Sequence, residues 1–279
     1  VPLITQETPA DRSGWALGMF FTSQVSGALL GPVFGGWLAE AVGYRHTFFV
    51  IGSFCLLGFF SLFSLRENFK PQPQAAALTL RSTFRRLPNP RLILGLFVTT
   101  LIMQFALMSI QPIITVYITQ IAASQDHIAL IAGAVFSCAG FASMLTASRI
   151  GHLADRIGSE KVLLFSLLLA GLSFIPQGFV RNPAELGFLR FLLGVATAGL
   201  LPSVNNLIRQ NTPSICLGRI YGFNQSFQFI GNFLGAFLGG NIAAEFGIQN
   251  VFFITALLLL GNALWCRSMV CSPHAGNEA

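Results

Sequence analysis

The chain has 279 residues, of which 53% are hydrophobic and 9% are charged, and its formal net charge is +6. Soluble domains carry about 25% charged residues, so this composition excludes an ordinary soluble enzyme, a nucleic-acid-binding domain and a disordered tail. A polytopic membrane protein remains. The five cysteines have neither metal-ligand nor disulfide-framework spacing, so no metal site is expected.

Apolar runs predict eight membrane-spanning helices, each close to the length of about 20 residues that a bilayer requires. In chain order they lie near residues 14–40, 46–65, 92–119, 129–149, 161–180, 185–208, 217–243 and 251–270. A backbone exposed to lipid must satisfy its own hydrogen bonds, which leaves helices or closed barrels. The alternating strands of roughly ten residues expected of a barrel are absent. The predicted fold class is therefore an all-α, polytopic membrane protein.

Basic residues indicate the orientation of these spans. Thirteen of the sixteen Lys and Arg residues fall on one side: Arg12, Arg66, Lys70, Arg81, Arg85, Arg86, Arg91, Arg149, Arg156, Lys161, Arg209, Arg219 and Arg267. The opposite side has Arg45 and Arg181, and Arg190 lies within a span. Because cytoplasmic loops carry an excess of Lys and Arg, we expect both termini to be cytoplasmic. The basic side is called inner below, and the opposite side outer.

The longest interruption, residues 66–90, separates two membrane units. It contains four prolines and five of the basic residues, which is typical of a cytoplasmic linker. Its charges indicate a solvated loop, with attraction to anionic lipid as the functional alternative. The units on either side are residues 1–65 and 91–270, and residues 271–279 form a short cytoplasmic tail.

A pattern of residues near the start of the chain recurs 204 positions later in the sequence. Among the repeated positions, Gly27, Gly31, Gly35, Gly36 and Gly43 recur as Gly231, Gly235, Gly239, Gly240 and Gly247. Spans one and two are therefore predicted copies of spans seven and eight, and internal repeats are typical of secondary transporters. No counterpart of spans three to six precedes span one, so we expect a fragment that lacks four of twelve helices. The alternative is a natural eight-helix protein with a fortuitous match.

The first span contains a motif of small residues around a proline: Gly27, Gly31, Pro32, Gly35 and Gly36. Small residues four apart let another helix approach closely, and a proline bends its own helix, although generic packing would use the same residues. The motif resembles the antiporter motif of the major facilitator superfamily, found in helix five of proton-coupled drug exporters. The resemblance implies that fold, with the eight spans as helices five to twelve. Residues 1–65 would end the N-terminal half, and residues 91–270 would form the six-helix C-terminal half.

A second resemblance to the same superfamily lies between spans four and five. Its residues are Gly151, Asp155, Arg156, Gly158 and Lys161. We expect Gly151 to allow the tight reversal and Asp155 to cap the next helix. The resemblance implies a latch between the two halves of the protein. Ser159 and Glu160 stand where the family usually has a basic pair, which predicts a weakened latch.

Arg190 and Gly194 lie in the sixth span. An ionisable residue inside a span is a candidate functional residue, and the pair resembles the second-half counterpart of the family's arginine motif. Arg190 is therefore a candidate for proton coupling or substrate binding, with snorkelling to the head groups or a structural pair as the alternative. None of the ten acidic residues lies in the middle of a span, so the coupling carboxylate is expected in the missing helices.

Neutral amides within the spans are candidates for lining a substrate cavity: Gln104, Gln111, Asn205, Asn224, Gln225 and Gln228. Beside Phe and Met, such amides would accept solutes of mixed polarity without a fixed charge partner. Each one alone is also compatible with an ordinary hydrogen bond between helices.

Together these features predict a transporter, not an enzyme, that exports small amphipathic drugs by alternating access in exchange for protons. The proton gradient would supply the energy without a cofactor. The expected partners are these substrates and the lipid bilayer, with no nucleic acid, and the protein would be a monomer of the bacterial inner membrane. An uptake permease for a sugar or other metabolite is the alternative, followed by a non-transporting membrane protein.

Overall fold

A computed structural model describes residues 13–62, 84, 86–122 and 127–270. Over these residues the secondary structure is helical: α1 (Ser13–Val42), α2 (Tyr44–Leu62), α3 (Pro90–Ile110), α4 (Ile114–Ile121), α5 (Ile128–Ile157), α6 (Ser159–Gln177), α7 (Pro183–Ala198), α8 (Leu200–Gln210), α9 (Ser214–Phe246) and α10 (Ile248–Val270). Most of the predicted linker and the whole tail 271–279 lie outside the described residues, so the domain boundaries stay a prediction.

Helices form at all eight predicted positions. The predicted span 92–119 is divided into α3 and α4 by a turn at residues 111–113, because Pro112 cannot continue the hydrogen-bond ladder. The predicted span 185–208 is divided into α7 and α8 at Gly199.

Five helical stretches in the described part of the chain are long and apolar enough to cross a bilayer: Pro90–Ile110, Ile128–Ile157, Ser159–Gln177, Pro183–Gln210 and Ile248–Met269. Residues Tyr44–Phe60 form a shorter apolar helix. Large exposed hydrophobic residues are common, as expected of helices that face lipid. The chain is therefore a multi-pass membrane protein, as the composition predicted.

Helices α3 to α10 form one packed bundle. Its largest fully buried side chains include Phe97, Phe174 and Phe252, which lie on α3, α6 and α10. Helix α3 packs along α9, α5 packs along α7, and α6 packs along α10. Helix α1 stands outside this bundle and packs along α5.

The two repeat copies share the same turn. Gly43 joins α1 to α2 with φ of 84°, and Gly247 joins α9 to α10 with φ of 89°. This left-handed backbone favours glycine because a Cβ would approach the carbonyl oxygen. The glycines 204 positions apart therefore reverse the chain in the same way in both copies.

Candidate functional site

Helices α1 and α5 cross with their backbones in contact at two glycines. A Cβ added to Gly36 would overlap the carbonyl oxygen of Ala129, and one added to Gly133 would overlap the carbonyl oxygen of Pro32. Small residues allow this approach, which brings backbone dipoles and van der Waals surfaces together. Two residues of the predicted antiporter motif, Pro32 and Gly36, therefore contact α5 through backbone atoms.

The other glycines of the motif point elsewhere. A Cβ at Gly27, Gly31 or Gly35 would have nothing within 4 Å among the described residues. Their copies in the second repeat are crowded: a Cβ at Gly231, Gly235 or Gly239 would overlap the carbonyl oxygens of Leu101, Phe105 and Ser109 on α3. The motif thus has two faces. Pro32 and Gly36 form the face that contacts α5, and Gly27, Gly31 and Gly35 form the face whose repeat counterpart on α9 contacts α3.

Glu40 joins the outer ends of α1 and α5. Its Oε2 lies 2.7 Å from Nδ1 of His127, and the backbone N–H of Leu130 donates to its Oε1 at 3.0 Å. The carboxylate therefore satisfies a free N–H in the first turn of α5, where negative charge is favoured. His127 has a φ of 58°, a left-handed conformation that costs a non-glycine residue about 1 kcal/mol.

Two of the predicted cavity amides are buried in pairs between α3 and α9. Thr100 donates from Oγ1 to Oδ1 of Asn224 at 2.9 Å, and Gln104 donates from Nε2 to Oδ1 of Asn232 at 3.1 Å. Such pairs hold helices together within the apolar bundle. Gln104 and Asn224 are thus placed as cross-links between two helices.

Two further polar pairs were not predicted. Thr99 donates to Asn262 at 3.3 Å, and the hydroxyls of Ser109 and Thr255 lie 3.1 Å apart. Asn262 could have been identified from the sequence, because it is an amide inside the apolar run of α10. Thr99 and Thr255 gave no signal, because threonine hydroxyls can also bond to their own helix backbone.

The remaining cavity candidates are not brought together. Gln225 donates to Gln228 one turn later on α9, and Gln225 is exposed. Gln111 is exposed in the turn after α3. Asn205 is exposed on α8, where its backbone carbonyl accepts from the hydroxyl of Tyr221 at 3.0 Å. Among the six predicted cavity amides, only Gln225 and Gln228 are neighbours on an open face.

Arg190 is buried between α5 and α7. It is 5% exposed, its guanidinium carbon lies 6.0 Å from the ring centre of Phe136, and its Nε and Nη2 have no hydrogen-bond partner in the described part of the chain. Gly194, one turn further, lies against the carbonyl of Ala139 and permits the close packing of α7 on α5. The guanidinium therefore lies inside the bundle and is not exposed as snorkelling would require.

The loop motif differs from its predicted local structure. Helix α5 continues to Ile157, so Gly151 is helical and the reversal occurs at Gly158, whose φ is 95°. Asp155 lies in the last turn of α5, and Gly158 is the N-cap of α6 without a side-chain cap. The expected roles of Gly151 and Asp155 are therefore wrong, because a helix can extend past the apolar run that marks its membrane part.

Ser159 has a structural partner at this loop. Nδ2 of Asn206 on α8 donates to its Oγ at 2.7 Å. This bond ties the start of α6 to the inner part of α8. Arg156 and Lys161 are exposed on either side of the turn, in the last turn of α5 and the first turn of α6.

Comparison with known proteins gives one family. The sequence profile of the Major Facilitator Superfamily matches residues 1–151 and 96–276. The chain is 44% identical over 274 residues to the multidrug resistance protein MdtG of Klebsiella pneumoniae (strain 342), covering 98% of this chain and 66% of that protein. It is 46% identical over 264 residues to the proteins of that name from Escherichia coli strains SMS-3-5 / SECEC and K12 / DH10B. Each of these matches covers 94% of this chain and 65% of the relative. The chain thus spans about two thirds of the length of these relatives.

Proposed function

The chain belongs to the Major Facilitator Superfamily, and from that membership we propose that it is part of an efflux transporter for small amphipathic drugs. The relatives' description as multidrug resistance proteins supports the substrate class. We assign α1 and α2 to helices five and six of a twelve-helix protein, and α3 to α10 to its C-terminal half. The repeat and the shorter length relative to those proteins support this assignment.

The observation that carries the proposal is the crossing of α1 and α5. It joins the first repeat copy to the bundle of the second through Pro32, Gly36 and Gly133, without a side chain between the backbones. A contact this close leaves no room for water or ions at the crossing itself. Export by exchange requires such a seal, because a leak would dissipate the gradient that drives it.

Alternating access would open and close this boundary at its outer end. The pair of Glu40 and His127 and the contact of Gly36 with Ala129 hold the outer ends of α1 and α5 together. Opening toward the outside requires the carboxylate to leave both His127 and the N–H of Leu130. In this account, Glu40 sets part of the free-energy difference between the two states of the transporter.

Protons would supply the energy, with no cofactor. Each proton that enters gains about 2.3 kcal/mol per 100 mV of membrane potential, which is enough to concentrate a drug. Arg190 is the candidate residue for coupling or substrate binding within this chain. A buried charge inside a membrane bundle costs free energy, so it marks a candidate functional residue. The titrating carboxylate would lie in the other helices of the whole protein.

The cellular setting follows from the same proposal. The protein would be a monomer of the bacterial inner membrane, with both termini of this chain on the cytoplasmic side. Its partners would be the exported drugs and the bilayer.

Drug retention in cells tests the proposed function. The full-length protein is expressed in a strain without other exporters, and the efflux of preloaded amphipathic dyes is measured. We expect faster efflux than with the Gly36→Val variant at equal membrane content. Equal efflux rates for the two proteins would contradict the role of the crossing.

A further inference from the structure

A cavity of about 530 Å³ lies between the inner halves of α5, α6 and α7. Apart from Lys161 and Ser166, its lining residues are apolar. The volume falls within the range of about 300–1,000 Å³ that is usual for ligand pockets. It opens beside Leu153 and Phe165, which are 44% and 63% exposed. An apolar cavity beside exposed apolar side chains is accessible from the hydrocarbon of a membrane.

The three helices converge at the floor of this cavity. A Cβ on Gly199 would lie 2.7 Å from Oγ of Ser166 and 2.8 Å from Cγ2 of Ile150. The close approach at Gly199 therefore closes the cavity toward the interior of the bundle. A ligand can therefore enter from the lipid-facing surface of the three helices, with its polar end near Lys161.

Helix geometry separates the charges around the opening. On α6, Lys161 lines the cavity, whereas Glu160 lies about 170° from the centre of the lining face at roughly 100° per residue. On α5, Asp155 is likewise about 170° away, and Arg149 and Arg156 are each within about a quarter turn of the lining face. The charges near the opening are thus cationic, and both nearby carboxylates lie on the opposite faces of their helices.

We propose that this cavity binds one anionic phospholipid of the inner leaflet. An acyl chain occupies the apolar cavity, and the phosphate lies at Lys161 with Arg149 and Arg156 beside it. Filling the cavity restores the van der Waals contacts that an empty apolar space lacks. Basic pockets between membrane helices on the cytoplasmic side suit anionic head groups. The site adjoins the turn at Gly158, so a bound lipid holds the ends of α5 and α6 together.

Native mass spectrometry of the full-length protein in detergent tests the site. The protein is titrated with phosphatidylglycerol and, separately, with phosphatidylcholine of the same acyl chains. We expect one phosphatidylglycerol to bind more tightly than phosphatidylcholine. Lys161→Gln should weaken its binding about fivefold and weaken phosphatidylcholine less, because the choline cation offsets the charge of the phosphate. Arg219→Gln, a matched change at the inner end of α9 and away from the cavity, should change neither.

A second variant tests the cavity itself. Val195→Trp fills the space, so it should weaken the binding of both lipids, and thermal unfolding without added lipid checks that each variant is folded. Equal binding of the two lipids by the unchanged protein would overturn the proposal. So would equal effects of Lys161→Gln and Arg219→Gln. The test does not depend on transport, so it separates this site from the proposed function.

Discussion

Arg190 is the residue whose environment is hardest to explain by packing alone. Two of its guanidinium nitrogens are buried without a hydrogen-bond partner in the part of the chain that the structure describes. A ring at 6.0 Å offers only a weak cation–π contact. Desolvating a charge costs several kcal/mol, and apolar replacements of buried charges are often neutral or stabilising. A residue that costs stability in this way is expected to be retained for function.

The first prediction separates stability from transport at this residue. Arg190→Met in the full-length protein should leave the unfolding temperature unchanged or raised. Proton-driven export should fall at least about tenfold, because a charge-assisted hydrogen bond formed by Arg190 during transport, to the substrate or to a coupling carboxylate, would be worth about 1.5–3 kcal/mol. Arg181→Met, at an exposed position two residues before the start of α7, is the control and should change neither quantity. If Arg190→Met lowers the unfolding temperature and leaves export intact, the residue is structural.

Glu40 gives the second prediction, because it bonds to α5 at two atoms. Glu40→Gln keeps an acceptor for the N–H of Leu130 but loses the charge at the helix start. The loss should weaken the outer contact by about 1 kcal/mol, or roughly fivefold. The measurement is the rate at which an impermeant maleimide labels a cysteine introduced at Ala129, relative to the parent protein.

Glu245→Gln is the matched control for this labelling. Glu245 lies at the outer end of α9, the repeat counterpart of α1. The account predicts faster labelling with Glu40→Gln and no change with Glu245→Gln. An unchanged rate for both variants would show that Glu40 does not hold the outer end closed.

At the scale of elements, the crossing of α1 and α5 depends on a glycine outside every motif. An added Cβ at Gly133 would overlap the backbone of Pro32, so Gly133→Ala must move the two helices apart. Overpacking of this kind costs about 1–3 kcal/mol, and we expect export to fall by about tenfold. Gly36→Ala should have a similar effect, because it disturbs the same crossing from the other side.

Gly151→Ala is the control on the same helix. Nothing in the described residues lies within 4 Å of a Cβ at Gly151, and alanine favours the helix by about 1 kcal/mol over glycine. Export and stability should therefore be retained. Normal export by the Gly133→Ala variant would show that transport does not depend on the crossing of α1 and α5.

The sequence predicted the positions of these elements better than their ends and contacts. Apolar runs predicted all eight helical positions, and Pro112 explains the break within the predicted span 92–119. The inner end of α5 was missed because its last turns are polar and lie beyond the apolar run. The partner of the antiporter motif was missed because a lone glycine in an apolar span, such as Gly133, resembles any other small residue. Glu40 and His127 are far apart in the chain, so only the fold brings them together.

At the scale of the whole molecule, the repeat explains why one motif has two faces. Gly27, Gly31 and Gly35 correspond to the glycines of α9 that pack on α3, whereas Pro32 and Gly36 contact α5. One face would serve packing within a half, and the other the boundary between halves. The family and the fold class could be predicted from such motifs. A coupling carboxylate could not be assigned, because none of the ten acidic residues of this sequence lies in the middle of a predicted span.

Proton-driven transport by the purified full-length protein tests the central claim most directly. The protein is reconstituted into vesicles, a proton gradient is imposed, and the accumulation of a panel of amphipathic dyes is followed by fluorescence. The account predicts that dye accumulates only where the vesicle interior is acidic, and that a protonophore abolishes the accumulation. Dye accumulation that is independent of the proton gradient would contradict drug export by exchange. Uptake of a metabolite together with protons would contradict it as well.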